Sequence, residues 1–433
     1  MSSSLFDLQV HVVPCQHIRE YPAGTHDNQE ETLHVELKQY RPLNNLNPKP
    51  GDLTIVASPA NGFPKELYEP LWDEILHRAT RSGFAIRGIW IADPAHQGAS
   101  GVLNENKVGN DPSWFDHSRD LLHCINVFRD QMPRPLVGIG HSMGGTELTQ
   151  LALYHPRLFT SLVLMDPVIM RNSDLNPSPS PPQASSYRRD FWPSRTEAEA
   201  SFRKSKFYQR WDSRVLERWL QYGLRDLPTA IYPLKDGNDS ANGERPVTLT
   251  TTKHQEVMTF LRRNWQGKDP ATGKTIINRD THADVDPDSP GIFPFYRPEP
   301  IMVYKNLCHV RPSVLYIFGA TSHLSTPKLC AEKMAETGVG VGGSGGAKLG
   351  RVQQVTLPNI GHLVAMDAVV DCADHAATWL GGEVSRWKTQ EAEFNEKWGK
   401  VDPLEKVTVS EEWMQRLGGD PRLMAKNAAK GKL

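Results

Sequence analysis

PLVGIGHSMGGTELT, residues 135–149, contains a short apolar run, Leu136-Val137-Gly138-Ile139, that breaks into Gly140-His141-Ser142-Met143-Gly144. A helix-compatible segment with Leu148, Leu151 and Leu153 follows at once. A serine hydroxyl is a weak nucleophile, so chemistry at serine needs a tight turn that presents the oxygen beside a base and beside donors for the oxyanion that forms. Small residues two places either side of Ser142 let such a turn pass its neighbours without a Cβ clash. The pattern GxSxG is common on its own; set between a buried strand and a helix it predicts a nucleophile elbow with Ser142 as the attacking group.

Working outward, residues 5–13 and 32–40 alternate as a leading antiparallel pair, with Pro22, Gly24 and Asp27-Asn28 marking the turn. Residues 52–57, 84–92 and 161–165 read as further strands, and 67–79 and 114–128 as helices. After Asp166-Pro167 the alternation stops. A Pro/Ser run (SDLNPSPSPPQASS), a long helical stretch and a polar, turn-rich segment fill the chain to about residue 310. Strand 314–318, helix 327–336, strand 352–357 and a helix after Gly361 then resume it. The glycine-rich stretch 338–346 has no following Lys-Ser/Thr and reads as a connector rather than a phosphate loop. The implied class is α/β: a mostly parallel, doubly wound sheet built from 1–167 and 311–384, a cap inserted at 168–310 over its carboxyl edge, and a charged helical tail at 385–433 carrying Trp387, Trp398 and Trp413.

An elbow in this topology takes its partners in the order serine, acid, histidine. His362 follows the last strand in LPNIGHLVAMD and is the candidate general base. The acid usually follows the strand after the cap, but Ser322 stands where a G-x-x-D would place it, and no Asp or Glu occurs between Glu299 and Glu332. Asp166, one strand earlier at the same sheet edge, is the candidate left by elimination; otherwise Asp166-Pro167 simply ends a strand in a turn. Backbone donors for the oxyanion are expected at Met143, directly after the nucleophile, and at Phe63 in Asn61-Gly62-Phe63-Pro64, which matches an H-G-F-P arrangement with Asn for His. His96 either lines the site's entrance or is a solvated loop histidine.

Composition bounds the rest. With 49 Lys plus Arg against 50 Asp plus Glu, no global charge draws the chain to nucleic acid or membrane, and no window reaches the ~18 apolar residues of a membrane span. Five scattered cysteines, never spaced as CxxC, argue against a disulfide framework and a zinc site; no metal and no cofactor is implied. The start lacks the basic and apolar regions of a secretory signal. Gly431-Lys432-Leu433 departs by one residue from the S-K-L that a peroxisomal import receptor reads, so a peroxisomal address is expected, with the cytoplasm as alternative. A homodimer stays open.

Within the cap, residues 188–218 hold nine Lys/Arg against five acids, and Ser194 with Glu197 offers a capping box. Tyr208, Trp211, Val215 and Trp219 fall on one face of the helix that follows. Either this is a solvated basic face, or Arg188 and Arg189 fork a phosphate-bearing leaving group while Trp192 or Trp211 lies under its base, as coenzyme A would require.

PANGFPKELYEPLWDEI, GIGHSMGG, LVLMDPV and NIGH, together with the long cap and the terminal tripeptide, resemble α/β-hydrolases. More narrowly they are similar to fungal peroxisomal lipase-like and toxin-biosynthesis hydrolases, including the peroxisomal acyl-CoA hydrolases of mycophenolic acid biosynthesis. The resemblance implies a thioesterase that frees an aromatic or terpenoid-type carboxylic acid from its CoA thioester with Ser142, Asp166 and His362. A carboxylesterase or lipase with the same triad, and a non-catalytic binding protein on the same fold, are the alternatives.

Overall fold

The computed structural model describes residues 4–171, 181–233, 244–286 and 294–422. Gly431-Lys432-Leu433 and most of the Pro/Ser run lie outside these. The described chain forms two compact units, 1–384 and 385–433.

Unit 1 is built on an eight-stranded sheet. Its first six strands are β1 (Phe6–Pro14), β2 (His34–Pro42), β3 (Leu53–Ser58), β4 (Ile86–Ala92), β5 (Leu136–His141) and β6 (Ser161–Met165). Helices α1 (Glu69–Ala79), α2 (Gly98–Leu103), α3 (Trp114–Val127) and α4 (Met143–Tyr154) alternate with them. The insertion contributes α5 (Pro181–Tyr187), β7 (Phe191–Trp192), α6 (Arg195–Lys204), α7 (Ser213–Tyr222), β8 (Leu224–Asp226), β9 (Val247–Leu249), α8 (Lys253–Phe260), β10 (Arg262–Arg263), β11 (Phe295–Tyr296) and α9 (Glu299–Asn306). The core resumes with β12 (Ser313–Gly319), α10 (Pro327–Glu336), β13 (Val352–Leu357), α11 (Val364–Asp367) and the start of α12 (Val369–Gly399). Unit 2 holds the rest of α12 and α13 (Glu411–Arg416).

The large sheet runs β1-β2-β4-β3-β5-β6-β12-β13, antiparallel at β1-β2 and β2-β4 and parallel from β4 onward. This is the expected mostly parallel, doubly wound architecture. Every residue of β3, β5, β6 and β12 is buried, because helices cover both faces, and this explains why these segments read as apolar runs instead of alternating. Two apolar layers result, one containing Leu71, Trp72, Ile139 and Leu380, the other Trp90, Leu148, Leu162 and Phe318.

The insertion departs from its sequence reading in two ways. The stretch 188–218 is not one long helix: Ser205 leaves α6 in extended backbone, a 3₁₀ turn spans Tyr208–Arg210, and α7 starts afresh under an Asp212 cap. Ser194 does cap α6, accepting the Glu197 N–H. The segment beyond residue 222 is also less irregular than its composition implies, since β7, β9 and β8 make a small antiparallel sheet. Near the insertion's end, α9 places Val303 in the second apolar layer of the body.

Candidate active site

Register places the candidate groups. His141 pairs with Met165 across β5 and β6, so Ser142 and Asp166 leave adjacent strands side by side at the carboxyl edge. Ile317 of β12 pairs with Met165 on the other side, and the Asp166 N–H continues that ladder by donating to the Ile317 carbonyl at 2.8 Å. Ser142 sits at φ 56° and ψ −118°, a conformation costly for a residue with a side chain, and Asp166 also has positive φ, 42°. The turn closes only because its flanks are glycine. A Cβ on Gly140 would lie 2.5 Å from the Gly144 carbonyl oxygen, and one on Gly144 would lie 2.1 Å from that of Ser58.

His362 enters from the loop between β13 and α11. Its Nε2 lies 2.8 Å from Ser142 Oγ and its Nδ1 2.6 Å from Asp166 Oδ2. An ionised carboxylate only accepts, so Nδ1 carries the proton and Nε2 is left to accept from the serine hydroxyl. Asp166 is fully buried while His362 keeps 25 % of its side chain exposed, enough for a substrate to reach. Burial alone would raise the Asp166 carboxyl. Hydrogen bonds from His362, Ser322 (2.5 Å to Oδ2) and Ser325 outweigh it and hold the carboxyl below its usual range. The Gly319 N–H adds a 3.3 Å contact to Oδ1. Thus Ser322, occupying the usual place of the acid, donates to the acid one strand away. Behind this loop the buried Lys333 ammonium donates to the Leu324 carbonyl at 3.2 Å.

Sequence reasoning passed over a second buried chain beside the first. The Ala60 N–H donates to Tyr68 Oη at 2.8 Å, Tyr68 Oη lies 3.0 Å from His141 Nδ1, and His141 Nε2 lies 3.1 Å from the His362 carbonyl. The carbonyl can only accept, so Nε2 is the protonated nitrogen and Tyr68 donates to Nδ1. Burial, with the His362 imidazole next, pushes His141 down to about 3 and keeps it neutral. The chain joins the loop after β3 to the backbone of the catalytic histidine candidate. Its one sequence signal was a histidine directly before Ser142.

The oxyanion donors divide. Met143 is the first residue of α4, where an N–H has no acceptor within its own helix. The Phe63 N–H, expected to be open, closes a turn onto the Ala60 carbonyl at 3.2 Å, so serving an oxyanion requires that N–H to be shared or the turn to open. Asn61 and Gln97 fix the loop: Asn61 Nδ2 donates to the Glu256 carbonyl, Gln97 Nε2 donates to Asn61 Oδ1, and the Gly62 N–H donates to Gln97 Oε1.

The remaining candidates lie elsewhere. His96 is half-buried, 2.8 Å from Thr259 Oγ1, and burial pushes it down to about 3. It borders a cavity of about 590 Å³ shared with Arg225, His254 and Arg263, whose described lining includes none of Ser142, Asp166 and His362. Arg188 is bound to Glu256 at 2.8 Å, and Arg189 donates to the Phe191 carbonyl. Trp192 and Trp211 are buried in the first apolar layer, Trp211 edge-on to Phe63 at 5.5 Å, so neither ring lies open for a base to stack on. The other arginines of the stretch also meet carboxylates: Arg195 pairs with Asp226, Arg203 with Glu217, Arg210 with Asp367 through a single nitrogen, Arg214 with Glu74 and Asp212, and Arg218 with Glu69. Partners such as Glu69, Glu74 and Glu256 lie outside the 188–218 window, which is why local charge counting found an excess.

Comparison with known proteins agrees with this geometry. Residues 71–369 match the model of the alpha/beta hydrolase fold family. Over the full length of both chains, the sequence is 43 % identical to a type I acyl-CoA thioesterase, mpaH', of Penicillium brevicompactum, and 42 % identical to mpaH of Penicillium roqueforti. Among solved structures, the peroxisomal alpha-beta-hydrolase Lpx1 of Saccharomyces cerevisiae shares the fold at a TM-score of 0.63 and 17 % identity, over 92 % of this chain and 99 % of that one. A sheet of this order, an elbow serine after its fifth strand and a family match across most of unit 1 lead to one conclusion: the chain belongs to the α/β-hydrolase family.

Proposed function

We propose that the protein is a serine-dependent acyl-CoA thioesterase. The observation that carries the hydrolytic half is the unbroken Ser142–His362–Asp166 hydrogen-bond chain at 2.8 and 2.6 Å. The thioester half rests on full-length likeness to proteins named as acyl-CoA thioesterases. In this reading His362 Nε2 takes the Ser142 proton as Oγ attacks the thioester carbonyl, with Asp166 stabilising the imidazolium. The oxyanion forms against the Met143 N–H, with the Phe63 N–H joining as its turn loosens. The C–S bond breaks, His362 returns the proton to sulfur, and the thiol departs. A water, deprotonated by the same nitrogen, then cleaves the acyl ester and yields the carboxylic acid and free Ser142.

A carboxylesterase is the second reading, and the paired arginines of the insertion favour it, because they remove a charge-based reason to prefer coenzyme A. Rates on a CoA thioester and a methyl ester of one acyl group separate the two. Thioesterase chemistry predicts a clear preference for the CoA substrate, and equal rates would leave the esterase. Labelling by a fluorophosphonate probe, lost in Ser142→Ala, tests the nucleophile. Labelling that survives the substitution would place the nucleophile elsewhere.

A further inference from the structure

A base that has taken the serine's proton must deliver it to the departing atom, so the leaving group lies on the open side of the imidazole. In this chain that side is a shelf. Gly361 precedes His362 and carries no side chain; a Cβ there would have only Thr321 Oγ1, at 3.7 Å, and Arg210 Nη2, at 3.8 Å, within 4 Å. The His323 ring centroid is 6.0 Å from that of His362. Arg210, Thr321 and His323 are all exposed. The Thr321 N–H donates to the Ile360 carbonyl at 2.9 Å, tying the two loops that frame the shelf, while Arg210 reaches over from the insertion.

Arg210, like Arg189, has donors left to give, and of the two it is the one that stands beside Gly361. Among the described residues it makes one hydrogen bond, 3.3 Å to Asp367 Oδ2, and its side chain is 59 % exposed. A guanidinium has five N–H donors, so most of its capacity faces outward beside the base.

We propose that Arg210, Thr321 and His323 form the subsite that holds the leaving arm of the substrate, an amide-bearing thiol of the pantetheine class. This rests on the thioesterase reading above. The substrate atoms able to reach a shelf one residue from the base are those a few bonds from sulfur. In a CoA thioester these are amide groups, whose carbonyls match a guanidinium, a hydroxyl and an imidazole as donors; the phosphates lie farther along. A methyl ester has no such arm and leaves the shelf unused. The subsite thus supplies selectivity for thioesters that the other ion-paired arginines of the insertion do not.

The test uses the full chain, Arg210→Gln and Arg210→Lys, with CoA thioester, N-acetylcysteamine thioester and methyl ester of one acyl group. For Arg210→Gln the expected result is a loss in kcat/KM on the order of tenfold on both thioesters, carried by KM, so that thioester-over-methyl-ester selectivity falls by about the same factor; Arg210→Lys falls between. An equal loss on all three substrates would mark Arg210 as merely structural. A loss on the CoA thioester alone would move its partner to the phosphates, and no loss on any substrate would empty the shelf; each of these overturns the proposal. Wild-type rates that do not distinguish CoA thioester from methyl ester would remove the thioesterase reading itself, an outcome read without any variant.

Discussion

The carboxyl edge of the sheet and the insertion carry similar polar residues and spend them differently. At the edge, one carboxylate accepts from an imidazole, two hydroxyls and a backbone N–H, and that imidazole is left partly exposed. In the basic stretch of the insertion, residues 188–218, seven arginines meet carboxylates one to one or one to two, and most of those arginine side chains are exposed. The first arrangement concentrates donors on a buried anion to fix its charge and direction, whereas the second spreads charge over many separate pairs. Residue type alone does not separate function from support; the count of donors per acceptor does.

The largest effects should come from the edge. Ser142→Ala should remove turnover by about 10⁶-fold, as loss of a triad nucleophile does elsewhere. Asp166→Asn should cost about 10⁴-fold, because an amide in that place favours the wrong imidazole tautomer. The structure sharpens this second case. Ser322 Oγ is 2.5 Å from the oxygen that holds His362, so a carboxylate at position 322 lies close to the position of the one it replaces. Asp166→Ser combined with Ser322→Asp should therefore recover at least tenfold over Asp166→Ser alone, in steady-state kcat. No recovery would show that the acid works only from β6.

A smaller effect is expected from the hydroxyls. Removing Ser322 or Ser325 takes away hydrogen bonds to the charged form, so the Asp166 carboxyl should rise toward or above the ordinary ~3.9. The sign follows from linkage. A depressed folded-state carboxyl contributes stability above its unfolded value, and that stability is lost as pH falls through the folded value. In Ser325→Ala the loss should begin at a higher pH, and the acid limb of the kcat profile should move to higher pH with it. An acid limb identical to wild type would mean that His362 alone sets the Asp166 charge.

How much of this was legible in the sequence differs in the same way. The sheet was readable because β3, β5, β6 and β12 are apolar runs bounded by turns, and helix 327–336 was readable from its Thr-Pro start. Ser142 and His362 followed from motif and chain order, and Asp166 from the lack of any acid between Glu299 and Glu332. The Tyr68–His141 chain was not legible, because it joins residues 73 positions apart whose types are unremarkable. The ion pairs of the insertion were hidden for a related reason: Glu256 and Glu69 lie far along the chain from Arg188 and Arg218. The break between α6 and α7 was masked by helix-forming residues on both sides of Ser205.

The smallest expected effects separate the two regions most cleanly. Tyr68→Phe removes a hydroxyl that accepts from Ala60 and donates to His141, both buried, so two polar groups lose their partner at once. Unfolding free energy should fall by about 1–3 kcal/mol in denaturant titration. Arg203→Ala breaks the bidentate Arg203–Glu217 pair, whose side chains are 47 % and 57 % exposed. Solvent screens such a pair, and ordering two long side chains offsets much of its attraction, so the change should stay within about 0.5 kcal/mol and shrink further in added salt. A Tyr68→Phe loss no larger than that of Arg203→Ala would mean that the buried chain is relieved by water, and the contrast between the concentrated edge and the balanced insertion would then not extend to the residues behind the site.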